Sequence, residues 1–300
     1  MVRRFIISPP SSCIRTKWNP TSKNKGVKKF VEWPVNGIPM KLSRRPVDVI
    51  LGCVLIPSDY VMKDEAPLLI KRFPSVKIIY HTVQLDSDEI KKSTFVRARN
   101  MGELINASKS LAAKAGKIIR SNGGDGSTCS IVGLSCTSFS FSVGVENVQK
   151  DFFQGDSKLK NCTDMATAQI DGIKAVNGTK VALLTPYIEE VSLANQETLE
   201  KAGLTVVNRL TMGLTTDEQS SQLRPDVISE WARRVNCEEA NVVVIGCSAL
   251  RACQPNFLDE LENELGKPVI TSTQAFLWKM LRGAGVVKNV FGYGTLFSKC

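Results

Sequence analysis

Three strand-end signals occur in this chain in one order, and then occur again. Ser130–Ser138 (SIVGLSCTS) and Asn241–Ala249 (NVVVIGCSA) are apolar runs of strand character that stop at a cysteine followed by small or hydroxylic residues. Val47–Pro57 and Thr179–Pro186 are apolar runs closed by a proline, which cannot donate to a central ladder and so marks a strand end. Cys162–Ala168 (CTDMATA) and Ile270–Phe276 (ITSTQAF) each lead a strand-end threonine into a helical pattern. The order strand–proline, strand–cysteine, strand–threonine, helix therefore appears twice, its copies more than 100 residues apart. A period that long is the duplication of a domain, not a solenoid repeat.

The stretches between these signals alternate strand and helix. Strands are predicted at 47–57, 76–83, 129–135, 180–185, 204–209, 241–246 and 268–271. Helical patterning runs through 86–120, with Ile105, Leu111, Ile118 and Ile119 on the inner face. Further helices are predicted from Asp164 to Val176, closed by Asn177-Gly178, and from Ile188 to Ala202, closed by Gly203. Arg224–Val235 has Pro225 in its first turn; Phe257–Leu265 stops at Gly266 and Thr273–Arg282 at Gly283. Asn122–Ser127 (NGGDGS) reads as a loop. Such alternation predicts an α/β fold with parallel sheets and functional sites at the C-terminal ends of the strands.

Three hundred residues hold one large or two medium α/β domains. The net charge of +10 belongs to an arm. Residues 1–46 carry eleven Lys and Arg against the single acid Glu32, and the remaining residues balance. The folded body thus lacks the charge excess with which proteins bind nucleic acid. The arm has the basic, Ser/Thr/Pro-containing composition of a mitochondrial transit peptide, and equally of a solvated tail. No apolar stretch follows Arg4, which argues against a secretory signal, and no run is long enough to span a membrane. Nine cysteines, an odd number without a C-x-x-C pair, point to free thiols in a reducing, cytoplasmic setting, with a mitochondrial address as the alternative.

Cys136 and Cys247 stand apart from the other cysteines by position. Each ends a buried strand beside amides and hydroxyls able to hold an oxyanion and to lower a thiol pKa. One cysteine per half can face the other across a cleft. Two thiols on opposite faces of a small acid can move a proton without a cofactor. His81, the single histidine, lies in an apolar strand and reads as a core residue, so multi-histidine metal sites are excluded. Gly123, Gly124 and Gly126 precede a strand instead of joining strand to helix, the wrong context for a nucleotide loop. No metal and no cofactor are expected. Tyr187 follows Pro186 at a strand end, and Ser58 and Asp59 hold the comparable position in the first half.

The cysteine pair, with LLTPY at 183–187, GCS at 246–248 and PVITST at 268–273, resembles the aspartate/glutamate racemase superfamily, and within it the maleate cis–trans isomerase and arylmalonate decarboxylase subgroup. Thr137–Phe141 (TSFSF) and Gly292–Phe297 (GYGTLF) are similar to the decarboxylase in particular. The resemblance runs from about residue 47 to 298. It implies two Rossmann-like lobes related by a pseudo-twofold, with the active site in the cleft between them. It implies Cys136 and Cys247 as catalytic residues, with Thr137, Ser138, Tyr187 and Ser248 around the substrate carboxylate and Pro57 and Ser58 also lining the substrate site. Racemases and maleate isomerases carry both cysteines; the decarboxylase lacks the one at position 136. Maleate isomerases place asparagines where this chain has Asp59-Tyr60 and Thr215-Thr216.

The lobes are expected at 47–165 with 283–300, and at 166–282. The activity expected first is a cofactor-independent racemase or cis–trans isomerase of a small carboxylic or dicarboxylic acid. The alternatives are an arylmalonate-type decarboxylase with Cys247 as proton donor, and a non-enzymatic binding protein that works through its basic arm. The expected partner is a small carboxylate, with neither nucleic acid nor membrane; homo-oligomerisation is compatible with the sequence.

Overall fold

The computed structural model of the protein describes residues 48–83, 101–122, 129–143 and 145–300. The basic arm, the Gly123–Gly126 loop and the first part of the 86–120 pattern lie outside them.

The first half contains β1 (Val49–Leu55), α1 (Val61–Ile70), β2 (Val76–Thr82), α2 (Met101–Ser121), β3 (Ile131–Ser135), α3 (Thr137–Val143), α4 (Val145–Gly155) and β4 (Cys162–Asp164). The chain continues through α5 (Met165–Ala175), β5 (Lys180–Thr185), α6 (Glu189–Lys201), β6 (Thr205–Thr211), α7 (Asp217–Ser221), α8 (Pro225–Val235) and β7 (Val242–Ile245). It ends with α9 (Phe257–Leu265), β8 (Val269–Thr271), α10 (Ser272–Gly283) and α11 (Gly294–Lys299). The strands form two four-stranded parallel sheets, ordered β2-β1-β3-β4 and β6-β5-β7-β8. The second order is the first with each strand advanced by four, so the repeat legible in the sequence is a repeat of topology.

Both faces of each sheet are covered, which is why the strands are nearly continuous apolar runs. In β1, Leu51, Cys53 and Leu55 enter one core while Ile50 and Val54 enter another. In β5, Val181 and Leu183 pack on one side, Ala182 and Leu184 on the other. Helix α10 lies directly on β3 because position 133 is glycine: a Cβ there would sit 2.5 Å from the Phe276 ring and 2.7 Å from Met280 Sδ. Helices α5 and α10 start at equivalent points of the two sheets and pack on each other. Asp164 caps α5 by accepting from the amides of Ala166 and Thr167, and Thr271 with Gln274 forms a capping box on α10. Among the described residues no helix is long and apolar enough to cross a membrane.

The predicted strands are all present within a residue or two of their expected ends. Helices α1, α3, α4, α7 and α11 were not anticipated. His81 is half-buried near the end of the edge strand β2, not in the core as expected.

Candidate active site

In a parallel sheet, ligands bind where the strand order reverses, beyond the carboxyl ends of the strands. Here the reversal lies between β1 and β3 in one sheet and between β5 and β7 in the other. Cys136 is the residue after β3. Cys247 follows β7 by two residues. The turns after the proline-closed strands bring in Ser58 and Asp59 after β1, and Pro186 and Tyr187 after β5.

Cys136 leads into α3. Its carbonyl accepts from the Ser140 amide at 3.0 Å and the Ser140 hydroxyl at 2.7 Å, and its sulfur lies 3.6 Å from Ser138 Oγ. The Thr137 hydroxyl is turned to Met165 Sδ at 3.5 Å. Cys247 is held differently. Its φ is +155°, a conformation side-chain-bearing residues seldom adopt. Its amide donates to Ser272 Oγ at 3.0 Å, and its sulfur accepts from the Ala249 amide at 3.3 Å. Tyr187 also hydrogen-bonds this sulfur.

Two carboxyl groups share the site. Asp59 accepts from Ser135 Oγ at 2.8 Å and from the Met62 amide at 3.3 Å, and Ser248 from the other half hydrogen-bonds it. Asp217, at the start of α7, accepts from Ser58 Oγ at 2.5 Å. Residues 58–65 thus clasp the second half. Besides Ser58–Asp217, Tyr60 bonds Ser221, Arg251 pairs with Asp64 at 2.9 Å, and Glu65 accepts from the Cys253 amide at 3.1 Å.

Burial dominates the electrostatics. It pushes the Cys136 thiol up to about 12, with the Asp217 charge adding to the rise and bonds from the Phe139 amide and Ser138 opposing it. Burial and Asp217 likewise push Cys247 well above the ordinary thiol value, against the bonds from Tyr187 and Ala249; Cys136 itself adds to that rise, so the two sulfurs feel each other. The sequence argument expected local donors to lower these thiols. The structure corrects it: in the closed site desolvation outweighs the donors, and both thiols are protonated at neutral pH. Asp59 is raised to about 7 by burial, and Asp217 is raised for the same reason.

Cys136, Thr137, Ser138, Tyr187 and Ser248 are all buried, and Ser58 is half-buried on Asp217. Pro57 is exposed, and the buried residue of its turn is Asp59. Cys136 and Cys247 retain 3% and 5% exposure, whereas Cys53 and Cys253 retain none. Sequence reading missed Asp217 and Ser272. Asp217 was findable through the T-x-x-Q capping pattern of Thr216 and Gln219, which marks a helix start just after β6. Ser272 sat unremarked inside the strand–threonine signal. Among the described residues no cluster of His, Cys, Asp or Glu is suited to a metal ion. A cavity of about 690 Å³ lined by Asn177, Glu262, Lys267 and Cys300 lies at the amino ends of the second sheet, away from the thiols.

Two parallel sheets of one strand order, with a cysteine at each reversal point, define a protein of the aspartate/glutamate racemase-like superfamily. Within that class the chain belongs to the arylmalonate decarboxylase family, whose profile matches residues 85–297. It is 28% identical to the arylmalonate decarboxylase of Bordetella bronchiseptica over 56% of this chain and 71% of that one. It is 20% identical to a maleate isomerase of Alcaligenes faecalis over 83% of this chain and 96% of that one. The fold is shared with a Nocardia farcinica maleate cis–trans isomerase, solved as a cysteine-to-serine variant with a covalently bound succinylcysteine intermediate. The TM-score is 0.68 at 17% identity, over 84% of this chain and 99% of that one.

Proposed function

We propose that this protein is a cofactor-independent isomerase or racemase of a small carboxylic acid, with Cys136 and Cys247 working on opposite faces of one carbon. The observation that carries this reading is the pair of thiols at equivalent reversal points of two like sheets, near enough for one to perturb the other. Thr137, Ser138, Ser248, Tyr187 and the neighbouring amides hold the carboxylate as it takes on enediolate character; losing one donor of this kind costs about 10²–10³ in rate.

In the racemase form, one cysteine as thiolate takes the α-proton. The electron pair passes into the carboxylate, and the other thiol protonates the opposite face. In the isomerase form, a thiolate adds to one alkene carbon of a cis diacid, and the π electron pair passes into the carboxylate on the other carbon. The central bond rotates, and elimination returns the thiolate and releases the trans diacid. Either form needs one thiol to lose its proton. The donors to Cys136 (Ser138 and the Phe139 amide) and to Cys247 (Tyr187 and the Ala249 amide) favour that step. Burial raises both Asp59 and Asp217, which favours their neutral forms, and a carboxyl in its neutral form donates a hydrogen bond to a carboxylate instead of repelling it.

A second reading has its own support. A protonated Cys247 is already a proton donor, and the family match is to arylmalonate decarboxylase. In that reaction a malonate loses carbon dioxide and Cys247 protonates the enediolate left behind. Turnover of amino acids, maleate and arylmalonates by the wild type, Cys136→Ala and Cys247→Ala separates the readings. Two-thiol chemistry predicts a loss of about a thousand-fold or more in both variants, with solvent deuterium entering the α-carbon in racemisation. Full activity of Cys136→Ala on an arylmalonate overturns it in favour of decarboxylation. No turnover of any of the three classes by the wild type counts against both.

A further inference from the structure

We propose that Ser272, backed by Gln169, is a positioning residue for Cys247, fixing the turn that aims its sulfur into the site. The proposal rests on the reading of Cys247 as a reacting group.

Ser272 Oγ accepts from the Cys247 amide at 3.0 Å and from Gln169 Nε2 at 3.3 Å, and both side chains are fully buried. The hydroxyl is not needed for helix capping, because Thr271 and Gln274 already cap α10. It is spent instead on Cys247, whose backbone alone among the described cysteines is strained, at φ +155°. That backbone also sets the bond from the Ala249 amide to the sulfur, since both lie in the same tight turn.

Two amide side chains and the Thr185 methyl lie beneath this turn. A Cβ at Gly246 would lie 2.6 Å from Asn195 Nδ2 and 3.6 Å from Gln169 Nε2. Both amide atoms of Asn195 and Oε1 of Gln169 are buried without a partner among the described residues. Buried polar groups left unpaired destabilise a fold by about 1–3 kcal/mol each. Of these groups, Gln169 is the one that reaches the turn, through its bond to Ser272.

The first sheet supplies the control. Leu134, two residues before Cys136, pairs with Asp164; Ile245, two residues before Cys247, pairs with Thr271. The counterpart of Ser272 is therefore Met165, whose sulfur takes the Thr137 hydroxyl. The serine is a feature of the second half only.

The test is iodoacetamide labelling of the full chain across pH, resolved by site with mass spectrometry. Ser272→Ala is expected to raise the midpoint for Cys247 by about one unit, a ten-fold loss of labelling rate below the midpoint, and to leave Cys136 unchanged. Ser272→Thr, which keeps the hydroxyl, is expected to behave as wild type. A Cys247 midpoint unmoved in Ser272→Ala, or equal shifts at both cysteines, overturns the proposal. If Ser272→Ala does not fold, Gln169→Met decides: a smaller upward shift at Cys247 supports the proposal and an unmoved midpoint overturns it. The readout needs no substrate, so a shift in a protein that turns over none of the three acid classes leaves the positioning role standing and removes the enzymatic reading.

Discussion

Cys136 and Cys247 occupy the same place in two copies of one architecture, yet their surroundings have diverged. Cys136 runs straight into α3, its carbonyl doubly bonded by Ser140 and its sulfur beside Ser138. Cys247 enters no helix until α9. It is held by side chains brought from elsewhere: Ser272 from α10, Tyr187 from the end of β5, Gln169 from α5 behind them. Duplication built the frame twice, and the residues around each frame then specialised. In the proposed reaction one thiol is ionised while the other is protonated, and the unequal surroundings bear on which is which.

The sharpest way to break the comparison is Tyr187→Phe. Tyr187 hydrogen-bonds Cys247, and in the proposed reaction it also helps hold the substrate carboxylate, so a fall in turnover of about 10²–10³ is expected. Labelling of Cys247 should slow while that of Cys136 holds. Equal slowing of both cysteines would mean that the two sites are not electrostatically distinct. Asp217→Asn should do the opposite. Asp217 raises both thiols through its charge, so both labelling midpoints are expected to move down, by about one unit or less. A shift at one cysteine alone would place Asp217 on one side of the site instead of between the thiols.

A further effect is on stability, and it separates the clasp from the rest of the chain. Asp59 and Glu65 have native pKa values raised by burial to about 7 and about 8. The native state therefore holds protons that the unfolded chain has released. Stability contributed by these groups is fully present below the unfolded carboxylate values and falls as pH rises, through about 7 for Asp59 and about 8 for Glu65. The slope is up to about 1.4 kcal/mol per pH unit for each group. Thermal melts from pH 5 to 8 should show this decline, and Asp59→Asn and Glu65→Gln should each flatten it. A melting temperature that rises over this range would refute the burial of these carboxyls.

Much of the frame was legible because a doubly covered parallel strand must be apolar along its whole length, and proline, cysteine and threonine at the strand ends marked where each run stopped. Helices α3 and α4 were not, because Thr137–Val143 (TSFSFSV) alternates hydroxylic and aromatic residues in a strand-like period. Its helical state comes from packing: Phe139 joins Val148 and Phe152 in one core. The cysteine pair was legible from position, whereas its protonation was not. Local donors are visible in a sequence, but the burial that outweighs them arises only when the two halves close. Asp217 and Ser272 escaped for a similar reason, since each acts on a residue 25 or more positions away.

The central claim is that one small acid sits between the two thiols. Site-resolved iodoacetamide labelling in the presence of maleate, an α-amino acid or an arylmalonate tests it directly. The account predicts that at least one of these acids protects Cys136 and Cys247 together, over the same concentration range, while half-buried Cys237 and Cys300 label as before. Protection of neither cysteine by any of the three, or of Cys247 alone, would contradict it.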